Sequence, residues 1–346
     1  MKDREIVKMA YQLILGREAE SGSYDREFIS IEQLRRDFLL SDEFLLSDIA
    51  KTIALKTKLE IIKNFEQLDS FVKKYQQGDY EGAEAQFLNS HVLDFKCFED
   101  LFGKPRPNTD PFSDEYSRWE MSFFQFLSGG EYSFNSEGLD VSSYMDMPPT
   151  IYLNADTRIY HMHMYADFLN IAKPLAGMKV IEMGAGFGDL LELFGRCGCS
   201  VTGIEASKSY SEYIAQRLAT QNIDAKSIHG SFYDIAQLDD IYNLILFESS
   251  FHHCGEPVRL LKLCHKKLSA DGRIFFLNDA ISPHYDCPWG VVRYDGETIM
   301  QIRMRGWLEL GYRTDFFEQL LQRTGFKVDN IYTLHNNTML YEVSKI

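Results

Sequence analysis

Several features that define other protein classes are missing from this sequence of 346 residues. No apolar run approaches the roughly 18 residues that a membrane-spanning helix needs. The opening residues, Met1 to Glu5, lead into an amphipathic segment and not into the apolar stretch of a signal peptide. The six cysteines form no CxxC pair, which is typical of reduced thiols in a cytoplasmic protein. We therefore expect a soluble, cytoplasmic chain without a membrane span.

An excess of positive charge is also missing. The sequence has 36 Lys and Arg against 51 Asp and Glu, so its formal net charge is −15. Proteins that bind a nucleic-acid backbone usually carry the opposite charge, because phosphate contacts depend on Lys and Arg. We expect no nucleic-acid partner. Apolar residues make up 45% of the chain, which is enough to build a hydrophobic core.

Three regions differ in their residue patterns. Residues 1–102 repeat apolar residues at helical spacing, which predicts an all-helical N-terminal domain with connecting helices. Residues 103–170 begin with prolines and continue with many aromatic residues, which predicts a cap or lid. From residue 171 to residue 346, short apolar runs alternate with helical patterns. Such alternation predicts an α/β domain with a parallel sheet that is covered on both faces.

Within the third region, individual elements can be predicted. A helix is expected near 314–324, and two final apolar runs joined by Asn336-Asn337 predict a β-hairpin. The stretch after residue 280, with Pro283 and Pro288, is expected to be a loop. The predicted strands are 179–183, 200–205, 226–229, 242–248 and 273–279, with helices at about 187–197, 207–221 and 256–268.

A glycine-rich turn follows the first predicted strand. Gly184, Gly186 and Gly188 lie between an apolar run and a helix, where backbone N–H groups and the helix N-terminus can contact a ligand. Glu205 ends the next strand, and an acid at this place can bind ribose hydroxyls. These residues fit either a nicotinamide site or an S-adenosylmethionine site. A final antiparallel strand favours the second, and Asp189 stands where a dinucleotide motif has its third glycine.

The order of the motifs resembles that of class I S-adenosylmethionine-dependent methyltransferases. The resemblance covers about residues 150–345 and implies a Rossmann-like, seven-stranded sheet with a C-terminal antiparallel hairpin. It also implies S-adenosylmethionine as cofactor. Ser231 stands where the family usually has Asp, which weakens the expected adenine contact. The cofactor-binding residues that the resemblance implies are Glu182, Gly184, Ala185, Gly186, Gly188, Glu205, Ala206, Ser207, Ser231, Phe232, Glu248 and Ser249.

Two further resemblances bear on the acceptor. The segments 288–290, 295–297 and 306–311 are similar to methyltransferases of bacterial polysaccharide gene clusters. The first 48 residues resemble a small helical bacterial domain of unassigned function that occurs beside glycosyltransferases. Together they imply a sugar or glycan acceptor, and N-terminal helices that dock a partner or a second copy of the chain. The residues expected to contact the acceptor are Tyr160, His161, His284, Trp289 and Arg293.

His252 and His253 follow the fourth predicted strand, at the sheet edge where ligands bind in such folds. Imidazole is a common general base near neutral pH, so one of the two is expected to take the acceptor proton. Glu248 is expected to contact the cofactor or to orient a histidine. Direct action as the base is its alternative role. We expect no metal site. A divalent ion held by His284 and Asp279 stays an alternative, since carboxylates hold such ions in some enzymes.

Other functions stay open on the sequence. A small natural-product molecule is an alternative acceptor. A nicotinamide-dependent oxidoreductase or epimerase is an alternative enzyme, but no Tyr-x-x-x-Lys pair follows the fourth strand. A non-catalytic interaction protein that keeps the cofactor fold is a third alternative. The intact glycines and Glu205 count against it.

Overall fold

The structure is a computed structural model that describes Tyr11 and residues 62–77, 95–138, 155–293 and 296–346. The chain divides into two compact units, Met1–Cys97 and Phe98–Ile346. Most of the predicted N-terminal helical pattern lies outside the described residues. None of the described helices is long and apolar enough to cross a membrane.

The longer helices of the described residues follow the apolar periodicity of the sequence. In chain order they are α1 (Phe65–Gln76), α2 (Phe95–Phe102), α3 (Asp114–Ser128), α4 (Ala155–Ala172), α5 (Asp189–Arg196), α6 (Lys208–Thr220), α7 (Pro257–Lys267), α8 (Gly296–Arg305) and α9 (Thr314–Arg323). Helix α3 begins after Ser113, whose hydroxyl accepts a hydrogen bond from the Tyr116 N–H, and ends at Gly129. Side-chain capping at one end and a left-handed glycine at the other are the usual helix boundaries.

The second unit is built on one large sheet and one small sheet. The large sheet has seven strands in the order β3-β2-β1-β4-β5-β10-β9, and the small sheet has the order β6-β8-β7. The strands are β1 (Lys179–Met183), β2 (Ser200–Glu205), β3 (Ala225–His229), β4 (Tyr242–Glu248), β5 (Leu268–Leu277), β6 (Ile281–Ser282), β7 (Trp289–Gly290), β8 (Gly311–Arg313), β9 (Phe326–Thr333) and β10 (Met339–Lys345).

The large sheet confirms the predicted fold class. Strands β1 to β5 pair in parallel through helical crossovers, and β10 pairs antiparallel with both β5 and β9. The predicted C-terminal hairpin is therefore present, with a short 3-10 turn at His335–Asn337 between its strands. The strand order reverses beside β1, so the carboxyl ends of β1 and β4 border the crevice in which such sheets bind ligands.

Strand β5 shows why both faces of the sheet are covered. Successive side chains of a strand point to opposite faces. Phe275 packs against Phe168 of α4, with ring centroids 5.2 Å apart, and Phe276 packs against Phe317 of α9 at 5.0 Å. All four rings are fully buried. A continuous apolar run is thus required of this strand, as is typical of parallel sheets between two helical layers.

The region after residue 280 differs from the expected loop. It contains the small sheet and helix α8, which packs against α3. The strands of the small sheet have only two or three residues, too few to show a period-2 pattern. Helix α8 carries charged and apolar residues without a strong apolar face. Local sequence patterns therefore could not reveal either feature.

A buried carboxylate of α3 contacts both the segment before this helix and the chain that follows strand β7. The Glu120 carboxylate is fully buried and accepts hydrogen bonds from Nε of Arg106 at 2.7 Å and from the Val291 N–H at 3.2 Å. Trp289 is also buried, and its Nε1–H donates to the Pro111 carbonyl at 2.8 Å. These contacts hold the aromatic-rich segment against strand β7.

We expect Gly290→Ala to lower the free energy of unfolding by at least about 2 kcal/mol. Gly290 has φ +124, and an added Cβ would lie 2.0 Å from Oε2 of Glu120, so the buried ion pair would have to move. The control is Gly130→Ala, since a Cβ there meets no atom within 4 Å. Urea unfolding measures both variants, and equal stability of the two would contradict this packing.

Candidate active site

A cavity of about 400 Å³ opens at the carboxyl ends of β1, β2 and β4. The glycine-rich turn, the end of β2 and the loop after β4 form its floor. The aromatic-rich segment and residues 307–308 form its other wall. Its lining residues are Ser117, Met121, Tyr132, Phe134, Glu137, Gly138, Gly184, Gly186, Glu205, Ala206, Tyr210, Gly230, Ser231, Phe232, Tyr233, Ser249, Ser250, His253, Gly255, Glu256, Trp307 and Leu308.

The turn after β1 is tight because Gly184 has φ +77, a conformation that other residues rarely adopt. Its N–H donates to the Ile204 carbonyl of the neighbouring strand at 2.8 Å. An added Cβ would lie 2.8 Å from Cβ of Ser250. A Cβ on Gly186 of the same turn would instead meet no atom within 4 Å, so the backbone at Gly186 faces open space where a ligand can contact it.

The last residue of β2, Glu205, is held by the turn it faces. Its Oε2 accepts a hydrogen bond from the Gly186 N–H at 2.9 Å, and its Oε1 accepts one from the Ser207 N–H at 2.8 Å. Burial raises the pKa of this carboxyl, while the backbone N–H groups act in the opposite direction. Two fixed donors orient the carboxylate toward the cavity before any ligand binds.

Two more carboxyl groups lie behind the turn. Glu182 is buried, and its Oε2 has no hydrogen-bond partner among the described residues. Burial, followed by the charges of Glu248, Asp189 and Glu205, raises its pKa well above the ordinary value. Burial also raises the pKa of Glu248 to about 7. An excess of buried carboxyl groups favours a ligand that carries positive charge close to the turn.

Ser231 and Phe232 line the opposite end of the cavity floor. The Ser231 N–H and hydroxyl both donate to Oδ2 of Asp234, at 2.7 and 3.2 Å, and so form a capping box at the start of a 3-10 turn. The Phe232 ring meets the buried Phe247 ring edge to face, with centroids 6.2 Å apart. Asp234 holds this corner, and the sequence reasoning did not single it out.

The two histidines occupy different places. His252 is buried behind the cavity, and its Nδ1 lies 2.8 Å from Oδ1 of Asp279. His253 lines the cavity, and its Nδ1 lies 3.1 Å from Oε2 of Glu137. Burial, followed by the charge of His253, lowers the pKa of His252. Burial also acts to lower the pKa of His253, but the contact with Glu137 raises it overall.

Residues from distant parts of the chain complete the wall. The Glu137 Oε1 accepts a hydrogen bond from the Leu308 N–H at 2.9 Å, and Trp307 Nε1–H donates to the Ser136 carbonyl at 2.7 Å. These partners are 171 residues apart in the chain. No spacing or periodicity links them, so sequence reasoning did not identify Glu137. The nearest signal was the aromatic content of both segments.

The structure brings some of the expected residues to the cavity and leaves others outside it. Gly184, Gly186, Glu205, Ala206, Ser231, Phe232, Ser249 and His253 line it. The expected residues outside the lining are Glu182, Ala185, Gly188, Ser207, Glu248, His252, Tyr160, His161, His284, Trp289 and Arg293.

The expected acceptor residues contact other parts of the protein. The Tyr160 hydroxyl lies 2.6 Å from Oγ1 of Thr338, and the His161 ring packs beside Tyr160. Arg293 donates to Oε2 of Glu309 at 2.8 Å. His284 is exposed, and its N–H donates to the hydroxyl of Ser282.

The alternative metal site at His284 is not formed either. The Asp279 carboxylate lies against His252, and the Cys287 sulfur contacts the guanidinium of Arg106. Asp286 is exposed.

Comparison with known families matches residues 160–331 to a model described as a methyltransferase domain. Residues 160–331 form a methyltransferase domain. Its cofactor is S-adenosylmethionine. The geometry fits this cofactor: a Cβ on Gly186 would meet no protein atom within 4 Å, Glu205 presents an oriented carboxylate, and the buried carboxyl groups near the turn suit its cationic groups.

Individual relatives differ in the acceptor. The chain is 27% identical over 151 residues to the sarcosine/dimethylglycine N-methyltransferase of Halorhodospira halochloris, a match covering 43% of this chain and 51% of that protein. It is 31% identical over 106 residues to the ubiquinone biosynthesis O-methyltransferase of Acinetobacter baumannii strain AYE, covering 30% of this chain and 44% of that protein. The chain thus spans about half the length of the curated relatives it matches.

Solved methyltransferase structures are similar to this chain as well. A SAM-dependent methyltransferase from Leishmania major has a TM-score of 0.45 and 15% identity, with 71% of this chain and 91% of that chain covered. An O-methyltransferase of a Brevibacillus brevis trans-AT PKS multienzyme, in complex with S-adenosyl-L-homocysteine, has a TM-score of 0.44 and 17% identity, with 60% and 80% covered.

We expect Gly184→Ala to weaken S-adenosylmethionine binding at least about 10-fold, because the new Cβ would lie 2.8 Å from Cβ of Ser250 and displace the turn that lines the cavity. Titration calorimetry measures the affinity. Gly177→Ala is the matched control: Gly177 also has a positive φ, +85, but a Cβ there meets nothing within 4 Å and the residue lies outside the cavity. Equal affinity in both variants would contradict the assignment of this turn.

Proposed function

We propose that this chain is an S-adenosylmethionine-dependent O-methyltransferase that acts on a hydroxyl group of a sugar or glycan intermediate. The observation that carries the proposal is the composition of the cavity wall. The imidazole of His253 and the aromatic side chains Tyr132, Phe134 and Trp307 line the same cavity as the glycine-rich turn. An acceptor bound there would contact both a proton-accepting group and apolar rings.

The aromatic residues support a sugar-type acceptor. A sugar ring has an apolar C–H face and a polar rim, and aromatic side chains offer large rigid surfaces to such faces. Pockets of this kind combine apolar walls with a few polar groups that set orientation. Glu137, Glu256 and His253 are the polar groups on this side, and they can bind hydroxyl groups.

The two sides of the cavity would bind the two reactants of methyl transfer. The cofactor supplies an electrophilic methyl group on a sulfonium. The glycine-rich turn and Glu205 would hold the cofactor, and the wall formed by the aromatic-rich segment would hold the acceptor, so that the two reacting atoms approach in line. His253 would assist removal of the hydroxyl proton, and Glu137 would orient its ring.

An oxygen acceptor is favoured over nitrogen by this histidine. Hydroxyl groups are weak nucleophiles and need help to lose a proton. One of the two relatives named above is an N-methyltransferase and the other an O-methyltransferase. The acceptor atom is therefore inferred from the residues of the cavity. The cavity of about 400 Å³ also accommodates a flat natural-product acceptor, which is the second candidate because the wall is rich in aromatic rings.

Product mass spectrometry distinguishes the acceptor classes. The full chain would be incubated with S-adenosylmethionine and, separately, with neutral glycosides, nucleotide sugars, phenolic compounds and small amines. We expect a mass increase of one methyl group on a glycoside or nucleotide sugar, because the proposed acceptor site presents rings and hydroxyl-binding groups together. Transfer to phenols or amines alone would overturn the sugar assignment, and binding of NADH without S-adenosylmethionine would overturn the reaction class.

We expect His253→Ala to lower turnover about 10²-fold or more, because the imidazole that faces the acceptor is lost. S-adenosylmethionine affinity should stay unchanged, since the cofactor contacts are separate. His335→Ala is the matched control, an exposed histidine outside the cavity lining. Full activity of His253→Ala on its acceptor, measured by product formation, would show that the proton is removed elsewhere.

A further inference from the structure

Behind the cavity, His252 and Glu309 bring two lone-pair-bearing atoms face to face. Nδ1 of His252 lies 2.8 Å from the Asp279 carboxylate, which can only accept, so Nδ1 carries the hydrogen. Nε2 of the same ring then presents a lone pair, and it lies 3.6 Å from Oε2 of Glu309. When the ring is neutral, these two atoms are both acceptors, and either a proton or a metal cation between them removes their repulsion.

His253 provides a third atom that can bind a metal ion at the same place. One ring nitrogen of each histidine and one carboxylate oxygen of Glu309 all lie within 4.8 Å of one another. Donors on one zinc ion are at most about 4.2 Å apart, twice the usual metal–donor distance of about 2.1 Å. Side-chain movements of about 0.5–1 Å would therefore close all three donors on a single ion.

The surroundings resemble the outer shell of a metal site. Histidine ligands usually donate their second ring N–H to a carboxylate, as His252 does to Asp279. A second carboxylate, Glu137, lies beside His253, and Arg293 donates to Glu309 at 2.8 Å. Among the described contacts, three carboxyl groups (Asp279, Glu137 and Glu309) and one guanidinium (Arg293) surround the two imidazoles. Buried charges in proteins are paired or bind metals.

We propose that His252, His253 and Glu309 form a binding site for one divalent cation, with zinc as the closest match to their chemistry. Two imidazoles and one carboxylate are a common ligand set for zinc in catalytic sites that keep a position open. Because His253 lines the cavity, the open position would face the acceptor.

The role of the cation, though not its binding, rests on the proposed function. A hydroxyl group bound to the cation would lose its proton to water in the cavity more readily, as metal-bound water does. The O–C bond then forms while the C–S bond breaks, and the electron pair stays on sulfur. With a cation bound, His253 would assist proton removal by holding that cation. Without a cation, its ring would take the proton as proposed above.

Metal content tests the site without any acceptor. The full chain would be dialysed against EDTA, incubated with zinc chloride, desalted and analysed for zinc by mass spectrometry. We expect about one zinc per chain in the unmodified protein, and a loss of about 10-fold or more in Glu309→Gln, which keeps the side-chain shape but removes the charge. Asp279→Asn should weaken zinc binding about 10- to 100-fold through His252.

His335→Ala is the control for adventitious binding. His163 and His335 form an exposed pair with ring centroids 4.4 Å apart, and this pair is the most evident competing site among the described residues. This variant should keep about one zinc. Equal zinc loss in His335→Ala and Glu309→Gln, or no zinc in the unmodified protein, would overturn the proposal.

Two further measurements keep the outcomes separate. Circular dichroism melting of Glu309→Gln checks that the variant is folded, and a folded variant that retains zinc would also overturn the proposal. S-adenosylmethionine titration of the same samples reports on the proposed function. Zinc binding without cofactor binding would contradict that function alone, and cofactor binding without zinc would contradict the metal site alone.

Discussion

One carboxylate organises the catalytic edge of the sheet. Asp279 follows β5, and it accepts hydrogen bonds from the N–H groups of Phe251 and His252 and from Nδ1 of the His252 ring. Parallel pairing of β4 with β5 brings their carboxyl ends together, so a residue after β5 can hold the turn after β4. The Leu310 N–H, which donates to the His252 carbonyl at 3.2 Å, holds the same turn from the other side. The position of His253 in the cavity depends on this turn.

A second constraint acts across the cavity. The segment that carries Glu137 is joined to residues 307–308 by two hydrogen bonds, and Gly138 lies so close to Ser207 that a Cβ would be 2.7 Å from it. The wall above the glycine-rich turn is therefore built by the protein before any ligand is bound. Preorganisation of this kind lowers the cost of placing an acceptor against a cofactor.

The fold was largely predictable, and the acceptor side of the site was not. Short, mostly apolar runs of four to seven residues between helical patterns indicated the parallel sheet, and the paired runs at the end indicated the hairpin. Trp289 shows where such reasoning fails: it was expected to contact the acceptor because segment 288–290 is similar to methyltransferases of polysaccharide gene clusters. The structure buries it instead against Pro111 and Phe316. An aromatic side chain gives the same local signal in a core and in a binding site, because both bury apolar surface.

The sequence by itself determined the alternation of strands and helices, the tight glycine turn and the acid at the end of β2. Each is a local property: apolar periodicity, a backbone conformation that glycine permits, and one side chain at a strand end. Only the tertiary structure decided which of two adjacent histidines faces the cavity, and which carboxylates accompany them. Asp279, Glu309 and Glu137 reach the pair from the turn after β5, the segment before β8 and the aromatic-rich segment. Their separations in sequence follow no period, because contacts between elements are set by sheet order and packing and not by local spacing.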